Sequence, residues 1–156
     1  MYKSLIVYYS YSGTTKHLAE TITIITDGDI RELVPEKPYS LTYNGATKEA
    51  RNEIERGYCP KLLMGAESVD NYDHIYIGSP NWFKSLAPPV LSFLRSVDLK
   101  GKTVIPFCTH GGGGFGSIES DILKECPQSI ILSGFETTSA FNDDQVEIWI
   151  NSMLGR

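Results

Sequence analysis

The chain has 156 residues, of which 41% are hydrophobic and 21% are charged, a composition typical of one soluble globular domain spanning residues 1–156. Its net charge of −5 argues against a nucleic-acid partner, and it fits either docking to a basic protein surface or a plain role in solubility. No apolar run approaches the roughly 20 residues that span a membrane, so we expect no membrane insertion.

The N-terminus and the cysteines indicate the compartment. Met1-Tyr2-Lys3 leads directly into an apolar run, without the cleavage site of a signal peptide. Three scattered cysteines, Cys59, Cys108 and Cys126, are too few for a disulfide framework or a zinc site. We therefore expect a reducing, cytoplasmic location and no bound metal. We also expect a monomer or weak dimer.

Strand-like and helix-like segments alternate along the chain, which predicts an α/β fold with a doubly wound parallel sheet. Strands are expected at residues 4–9, 29–34, 74–78, 103–109 and 129–132. Helices are expected at residues 14–25, 46–56, 88–97 and 117–125, and after a capping-box pattern at Asn142 and Gln145. Residues 57–70 are expected to be mostly irregular. Pro106 lies inside the fourth strand, where we expect a bulge or lost pairing because proline cannot donate to a ladder.

The densest group of hydroxyl side chains follows the first strand, in Ser10-Tyr11-Ser12-Gly13-Thr14-Thr15. A tight turn that leads into a helix directs free backbone N–H groups toward one point, where the helix dipole is positive. Hydroxyl donors beside those amides form a phosphate site without lysine or arginine. The alternative is a turn that only caps the helix, but a cap needs one hydroxyl and this loop has four serines and threonines.

Two further loops leave the same edge of the predicted sheet. The second loop is Ser79-Pro80-Asn81-Trp82-Phe83-Lys84-Ser85, in which Trp82 is interpreted as a stacking ring or as a hydrophobic anchor. The third is Thr109-His110-Gly111-Gly112-Gly113-Gly114-Phe115-Gly116, whose glycine backbone can approach a ligand closely. His110 either contacts the ligand or packs. The glycine spacing also fits a dinucleotide fingerprint, but it follows the fourth strand, and the lysine of a P-loop is missing.

On these residues the chain resembles the flavodoxins over nearly its whole length. Ser10-x-Ser12-Gly13-x-Thr15 matches the family's phosphate signature, Thr/Ser-x-Thr/Ser-Gly-x-Thr/Ser. Pro80-Asn81-Trp82-Phe83 and Cys108-Thr109-His110-Gly111-Gly112 resemble a bacterial flavodoxin-like subgroup. The resemblance implies a three-layer sandwich with a five-stranded parallel sheet in the order 2-1-3-4-5, and non-covalently bound FMN. It implies cofactor contacts from all three loops, at Ser10, Tyr11, Ser12, Gly13, Thr14, Thr15, Ser79, Pro80, Asn81, Trp82, Phe83, Thr109, His110, Gly111, Gly112, Phe115 and Gly116.

Two positions depart from the electron-carrying flavodoxins. Phe83 stands where many of them have a glycine after the first stacking residue, and a positive φ at a non-glycine residue costs about 1–2 kcal/mol. We therefore expect electrons to be passed mainly in pairs. The third loop has Phe115 as its only aromatic residue besides His110, where carriers often place a second stacking ring. Unless Phe115 covers the flavin, one face is open to a nicotinamide or a quinone.

The sequence therefore predicts an FMN-binding electron-transfer protein and leaves its partner open. One possibility is a carrier that docks to a redox partner protein. Another is an NAD(P)H-dependent FMN oxidoreductase, a flavin or quinone reductase with an open flavin face. A third is a flavin-binding regulatory or storage module. No general acid or base stands out, so no catalytic side chain is assigned, and the flavin would supply the chemistry.

Overall fold

The computed structural model describes residues 2–156 and places a β-sheet between two layers of helices. In chain order the elements are β1 (Ser4–Tyr8), α1 (Thr14–Thr26), β2 (Asp29–Glu32), β3 (Val34–Pro35), α2 (Tyr43–Arg56), β4 (Leu62–Met64), β5 (His74–Pro80), α3 (Pro88–Ser96), β6 (Thr103–Thr109), α4 (Ile118–Glu125), β7 (Ile130–Ile131), β8 (Phe135–Thr137) and α5 (Asp143–Met153).

The main sheet is parallel throughout and has the order β2-β1-β5-β6, with β7 and β8 both paired to β6. The predicted order 2-1-3-4-5 is confirmed, since β7 and β8 together occupy the fifth position. A short antiparallel pair, β3 with β4, stands apart from this sheet. Residues 57–70 are mostly irregular, as predicted, and the three residues of β4 are the regular element within them.

The central strands are buried on both faces, as parallel strands in an α/β fold are. Along β1, Leu5 and Val7 face one hydrophobic cluster, whereas Ile6 and Tyr8 face the other. The first cluster is covered by α2, α3 and α4, and the second by α1 and α5. This arrangement is the predicted three-layer sandwich.

Pro106 lies where the fifth position of the sheet is interrupted. The carbonyls of Lys102 and Val104 accept hydrogen bonds of 2.9 and 3.0 Å from the β7 side, and Pro106 shares their orientation because strand residues alternate. The backbone nitrogen of Pro106, which carries no hydrogen, therefore faces the gap between β7 and β8. On the other side the register with β5 continues through Ile77 and Pro106 without a bulge. The expected loss of pairing is confirmed, and no bulge accompanies it.

Capping residues determine where helices α2 and α5 begin. The Gln145 N–H donates to Asn142 Oδ1 at 2.9 Å and the Asn142 N–H donates to Gln145 Oε1 at 3.0 Å, which confirms the capping box at α5. Helix α2 begins earlier than predicted, because Thr42 caps it by accepting the Gly45 N–H at 3.1 Å. None of the helices within residues 2–156 has the length and apolarity needed to cross a membrane.

Candidate functional site

A cavity of about 330 Å³ opens at the carboxyl ends of β1, β5 and β6, where the three predicted loops meet. Nine of the predicted site residues border it: Tyr11, Ser12, Thr14, Pro80, Asn81, Trp82, Thr109, His110 and Gly111. Three residues that the sequence reasoning did not select border it as well: Tyr43, Thr138 and Ser139.

The first loop directs the start of α1 into this cavity. Gly13 adopts a left-handed φ of 100°, and its N–H donates to Ser10 Oγ at 3.1 Å, which closes the turn. No side chain caps the helix, so its first amides remain available to a ligand. Ser12 and Thr14 place hydroxyls beside those amides. This combination of donors suits an anion, and Ser10 serves the turn that presents it.

Thr15 does not border the cavity. Its side chain is buried, and Thr15 Oγ1 lies 2.7 Å from Thr109 Oγ1, within hydrogen-bond distance. The hydroxyl of Thr15 is therefore directed away from the cavity, and the predicted contact of this residue with the cofactor stays a prediction. The contact instead fixes the first turn of α1 against the end of β6.

Trp82 forms part of the cavity wall but is only 5% exposed. Its ring makes edge-to-face contacts with Tyr9, Tyr11 and Tyr39 at centroid distances of 5.5, 5.9 and 5.3 Å. The burial of Trp82 agrees with its interpretation as a hydrophobic anchor. Its role as a stacking ring stays a prediction. Tyr11 and the more exposed Tyr43 add aromatic surface on the same side.

The second loop contains a tight two-residue turn at the edge of this wall. Trp82 and Ser85 exchange backbone hydrogen bonds of 3.1 and 3.0 Å, and the two residues between them, Phe83 and Lys84, have positive φ angles of 55° and 65°. These angles are typical of a type I′ turn, which normally contains asparagine or glycine. Phe83 lies outside the cavity wall, with the Arg51 guanidinium 5.4 Å from its ring centroid.

The turn is held in its strained conformation by its neighbours. Asn81 Oδ1 accepts the Lys84 N–H at 2.8 Å, and both the N–H and the hydroxyl of Ser117 donate to the Lys84 carbonyl at 2.7 Å. A Cβ at Gly116 would lie 2.6 Å from that carbonyl oxygen, and Gly116 has a φ of 56°. Gly116 therefore permits the third loop to pack on the turn, and it does not border the cavity.

Two other predicted residues turn inward. The Ser79 hydroxyl is fully buried, donates to the Pro80 carbonyl at 2.7 Å and accepts the Ala87 N–H at 2.9 Å. Phe115 packs against the core beneath the loop, where a Cβ at Gly134 would lie 2.6 Å from its ring. Phe115 therefore does not cover the cavity, and the glycine run is left bare.

His110 borders the cavity and also supports the loop that follows it. Its Nδ1 accepts the Gly112 N–H at 2.9 Å, so the proton of the neutral ring resides on Nε2. Nε2 lies 2.6 Å from Glu136 Oε2, although the approach is not aligned as a hydrogen bond. Gly112 itself does not border the cavity. His110 thus supports the loop through its ring, and its contact with the ligand stays a prediction.

The cavity wall combines polar and apolar surface, and among residues 2–156 no Asp, Glu, Lys or Arg borders it. Burial raises the pKa of the adjacent Cys108 thiol to about 12, with smaller contributions from Glu136 and Glu119. This thiol stays protonated at neutral pH and is no nucleophile, as expected of a buried strand cysteine. The wall can bind and orient a ligand through hydroxyls, amides and aromatic rings.

The three-layer sandwich and its strand-end cavity define a flavodoxin-like α/β protein. A profile described as flavodoxin matches residues 3–153, so the chain belongs to the flavodoxin family. A comparison with curated proteins found no match.

Solved structures agree with this assignment. A flavoprotein in complex with FMN from Lactobacillus acidophilus is 27% identical, with a TM-score of 0.79 over 96% of this chain and 99% of that one. A candidate flavoprotein from Bacteroides uniformis is 29% identical, with a TM-score of 0.87 over 96% and 97%. Oxidised flavodoxin 2 from Bacillus cereus shares the fold, with 19% identity, a TM-score of 0.62 and 98% of each chain covered.

Proposed function

We propose that this chain binds FMN in the strand-end cavity and transfers electrons through it. The observation that carries the proposal is the meeting of three loops around one cavity: hydroxyls and free helix amides, an aromatic wall, and a bare glycine run. FMN combines a phosphate, a flexible chain and a flat ring, and it supplies the redox chemistry when bound. The family assignment and the FMN-bound relative support this cofactor.

The first loop is suited to the phosphate. Ser12 and Thr14 provide hydroxyl donors, and the uncapped amides of α1 add backbone donors at the positive end of the helix dipole. Thr138 and Ser139 bring further hydroxyls to the same cavity from the segment after β8. Since the wall contains no lysine or arginine, hydroxyl and amide donors would hold the phosphate.

The second and third loops are suited to the ring. Trp82, Tyr11 and Tyr43 provide an aromatic wall, and the backbone at Gly111 provides donors and acceptors without a side chain. An offset contact between aromatic rings contributes about 1 kcal/mol beyond the area that it buries. We therefore place the ring between this wall and the third loop.

The packing of Phe115 favours an oxidoreductase as a second candidate function. Because Phe115 lies beneath the third loop, that loop brings no stacking ring except the imidazole of His110 to the cavity. An uncovered flavin face would admit a nicotinamide or a quinone. A carrier, in contrast, would exchange electrons with a partner protein at the exposed edge of the ring.

The cofactor is tested with purified protein and FMN. We expect a yellow protein, or an apoprotein that quenches the fluorescence of added FMN at one equivalent. Replacing Ser12 and Thr14 together by Ala and Val should weaken FMN binding at least tenfold, whereas Ser152→Ala, at an exposed position of α5, should not. A colourless protein that leaves FMN fluorescence unchanged would refute the proposal.

The two candidate functions are separated by the source of electrons. Anaerobic bleaching of bound FMN by NADH or NADPH alone, at rates that saturate with nicotinamide, identifies an oxidoreductase. Reduction only through a partner reductase, with rates that fall steeply as salt is added, identifies a carrier. Binding of FMN with neither reaction identifies a module without turnover.

A further inference from the structure

Two glycines of the third loop, Gly111 and Gly113, differ from the other glycines of the chain. Six glycines have a φ outside the left-handed range: Gly28, Gly45, Gly78, Gly111, Gly113 and Gly134. At four of them a Cβ would lie closer than 3.0 Å to another atom, so packing within the protein requires glycine. At Gly111 a Cβ has no atom within 4 Å, and at Gly113 its single contact is 3.5 Å from Asn81 Nδ2.

Neither conformation nor internal packing therefore explains Gly111 and Gly113. Both positions are exposed and would accept alanine in this structure. A run of four glycines also has more backbone freedom to lose than any other sequence, so binding a ligand to it is costly unless its shape is set beforehand. Side chains that hold the run in one shape would lower this cost.

Two side chains outside the run hold it at separate points. His110 Nδ1 accepts the Gly112 N–H at 2.9 Å, in the manner of an Asx turn. Asn81 Nδ2 donates to the Gly114 carbonyl at 2.8 Å, and Gly114 has a φ of 67° with Glu136 packed beside it. Both side chains border the cavity, but His110 holds the residue next to Gly111 in the cavity wall, whereas Asn81 holds Gly114, which does not border the cavity.

We propose that His110 is a positioning residue that presets the glycine run for the cofactor ring through its acceptor contact with the Gly112 amide. It acts through Nδ1, and the edge of its ring that faces Glu136 is dispensable for binding. This inference rests on the proposed FMN site. It goes beyond that proposal because it assigns the role to one atom of one side chain, and because it predicts the same loop shape in the apoprotein.

Two substitutions separate the two edges of the imidazole. In His110→Asn, Oδ1 can replace Nδ1 and accept the Gly112 N–H, but nothing reaches toward Glu136. In His110→Gln, Nε2 can replace the ring Nε2 beside Glu136, but the acceptor for Gly112 is lost. Glu136→Gln provides a third variant that changes only the Glu136 side. The dissociation constant of FMN is measured for each apoprotein by fluorescence quenching, and urea unfolding reports stability.

We expect His110→Asn and Glu136→Gln to bind FMN within about threefold of the wild type, and His110→Gln to bind about tenfold more weakly. Equal affinity of His110→Gln and wild type, or a loss in His110→Asn equal to that in His110→Gln, would overturn the assignment. If the wild type itself binds no FMN, the proposed function fails instead, so the two failures are distinct.

Amide exchange tests the same assignment without a variant. In wild-type apoprotein the Gly112 N–H should exchange more slowly than the amides of Gly111 and Gly113, for which no acceptor is found among residues 2–156. Equal exchange at all three glycines would contradict a preset shape, whether or not the variants fold.

Discussion

Thr15 and Thr109 join two of the three loops that meet at the cavity, with their hydroxyl oxygens 2.7 Å apart in the protein interior. Thr15 belongs to the first turn of α1, and Thr109 is the last residue of β6. Each hydroxyl is nearly inaccessible to solvent, so each depends on the other for a hydrogen bond. The contact fixes the distance between the helix amides and the third loop.

We predict that Thr109→Val destabilises the apoprotein by about 1–3 kcal/mol, because it leaves the Thr15 hydroxyl buried without its partner. The double variant Thr15→Val/Thr109→Val should lose less than the sum of the two single variants, since both partners are then apolar. Urea unfolding of the four proteins gives the coupling free energy. Strict additivity would show that the hydroxyls do not depend on each other.

Ser79 provides a second test of a buried hydroxyl. Replacing it by alanine leaves the buried Ala87 N–H without its 2.9 Å acceptor. We expect the free energy of unfolding to fall by about 1–3 kcal/mol. The exposed Ser152→Ala on α5 should change it by less than about 0.5 kcal/mol. An equal effect of the two substitutions would mean that the hydroxyl of Ser79 is not structural.

The strained type I′ turn offers a substitution that should increase stability. Lys84 adopts a φ of 65°, which costs a side chain with a Cβ about 1–2 kcal/mol. Lys84→Gly should relieve that strain and raise the free energy of unfolding by about 0.5–1 kcal/mol, since the greater freedom of unfolded glycine offsets part of the gain. Lys84→Ala keeps the Cβ and serves as the control. A similar gain in both variants would contradict the strain.

Much of the fold follows from local patterns. Both faces of β1 are apolar and amphipathic helices alternate with strands, which is enough to predict a doubly wound sheet. The division of the last strand was not predictable, because it depends on long-range contacts. Trp149 Nε1 donates to the Ser133 carbonyl at 3.0 Å, and a Cβ at Gly134 would lie 2.6 Å from the Pro106 carbonyl oxygen. The expected strand at 129–132 is therefore reduced to two residues, and its continuation lies at β8.

The same division explains two of the site residues that the sequence did not reveal. Thr138 and Ser139 follow the end of β8, so they reach the cavity only because the strand resumes after Ser133 and Gly134. A hydroxyl run, Thr137-Thr138-Ser139, was the available signal. Packing that no local pattern encodes also buries the side chains of Ser79 and Thr15 and partly buries that of Phe115, so their predicted contacts with the cofactor stay predictions.

The raised pKa of Glu53 on α2 should make the free energy of unfolding depend on pH. Burial raises the pKa of its carboxyl above the ordinary 4.5, although the hydrogen bond from the Tyr39 hydroxyl and the charge of Arg56 oppose the shift. The folded chain then holds this proton more tightly than the unfolded chain. The associated stability is fully present below pH 4.5 and is lost as pH rises through the raised pKa.

Glu53→Gln removes this titration and retains a carbonyl oxygen that can accept the Tyr39 hydroxyl. We therefore expect the difference in unfolding free energy, variant minus wild type, to grow as pH rises from 4.5 toward 7 and to level off above the raised pKa. Urea unfolding of both proteins at several pH values measures that difference. A difference that stays constant, or that shrinks as pH rises, would show that burial does not oppose ionisation of Glu53.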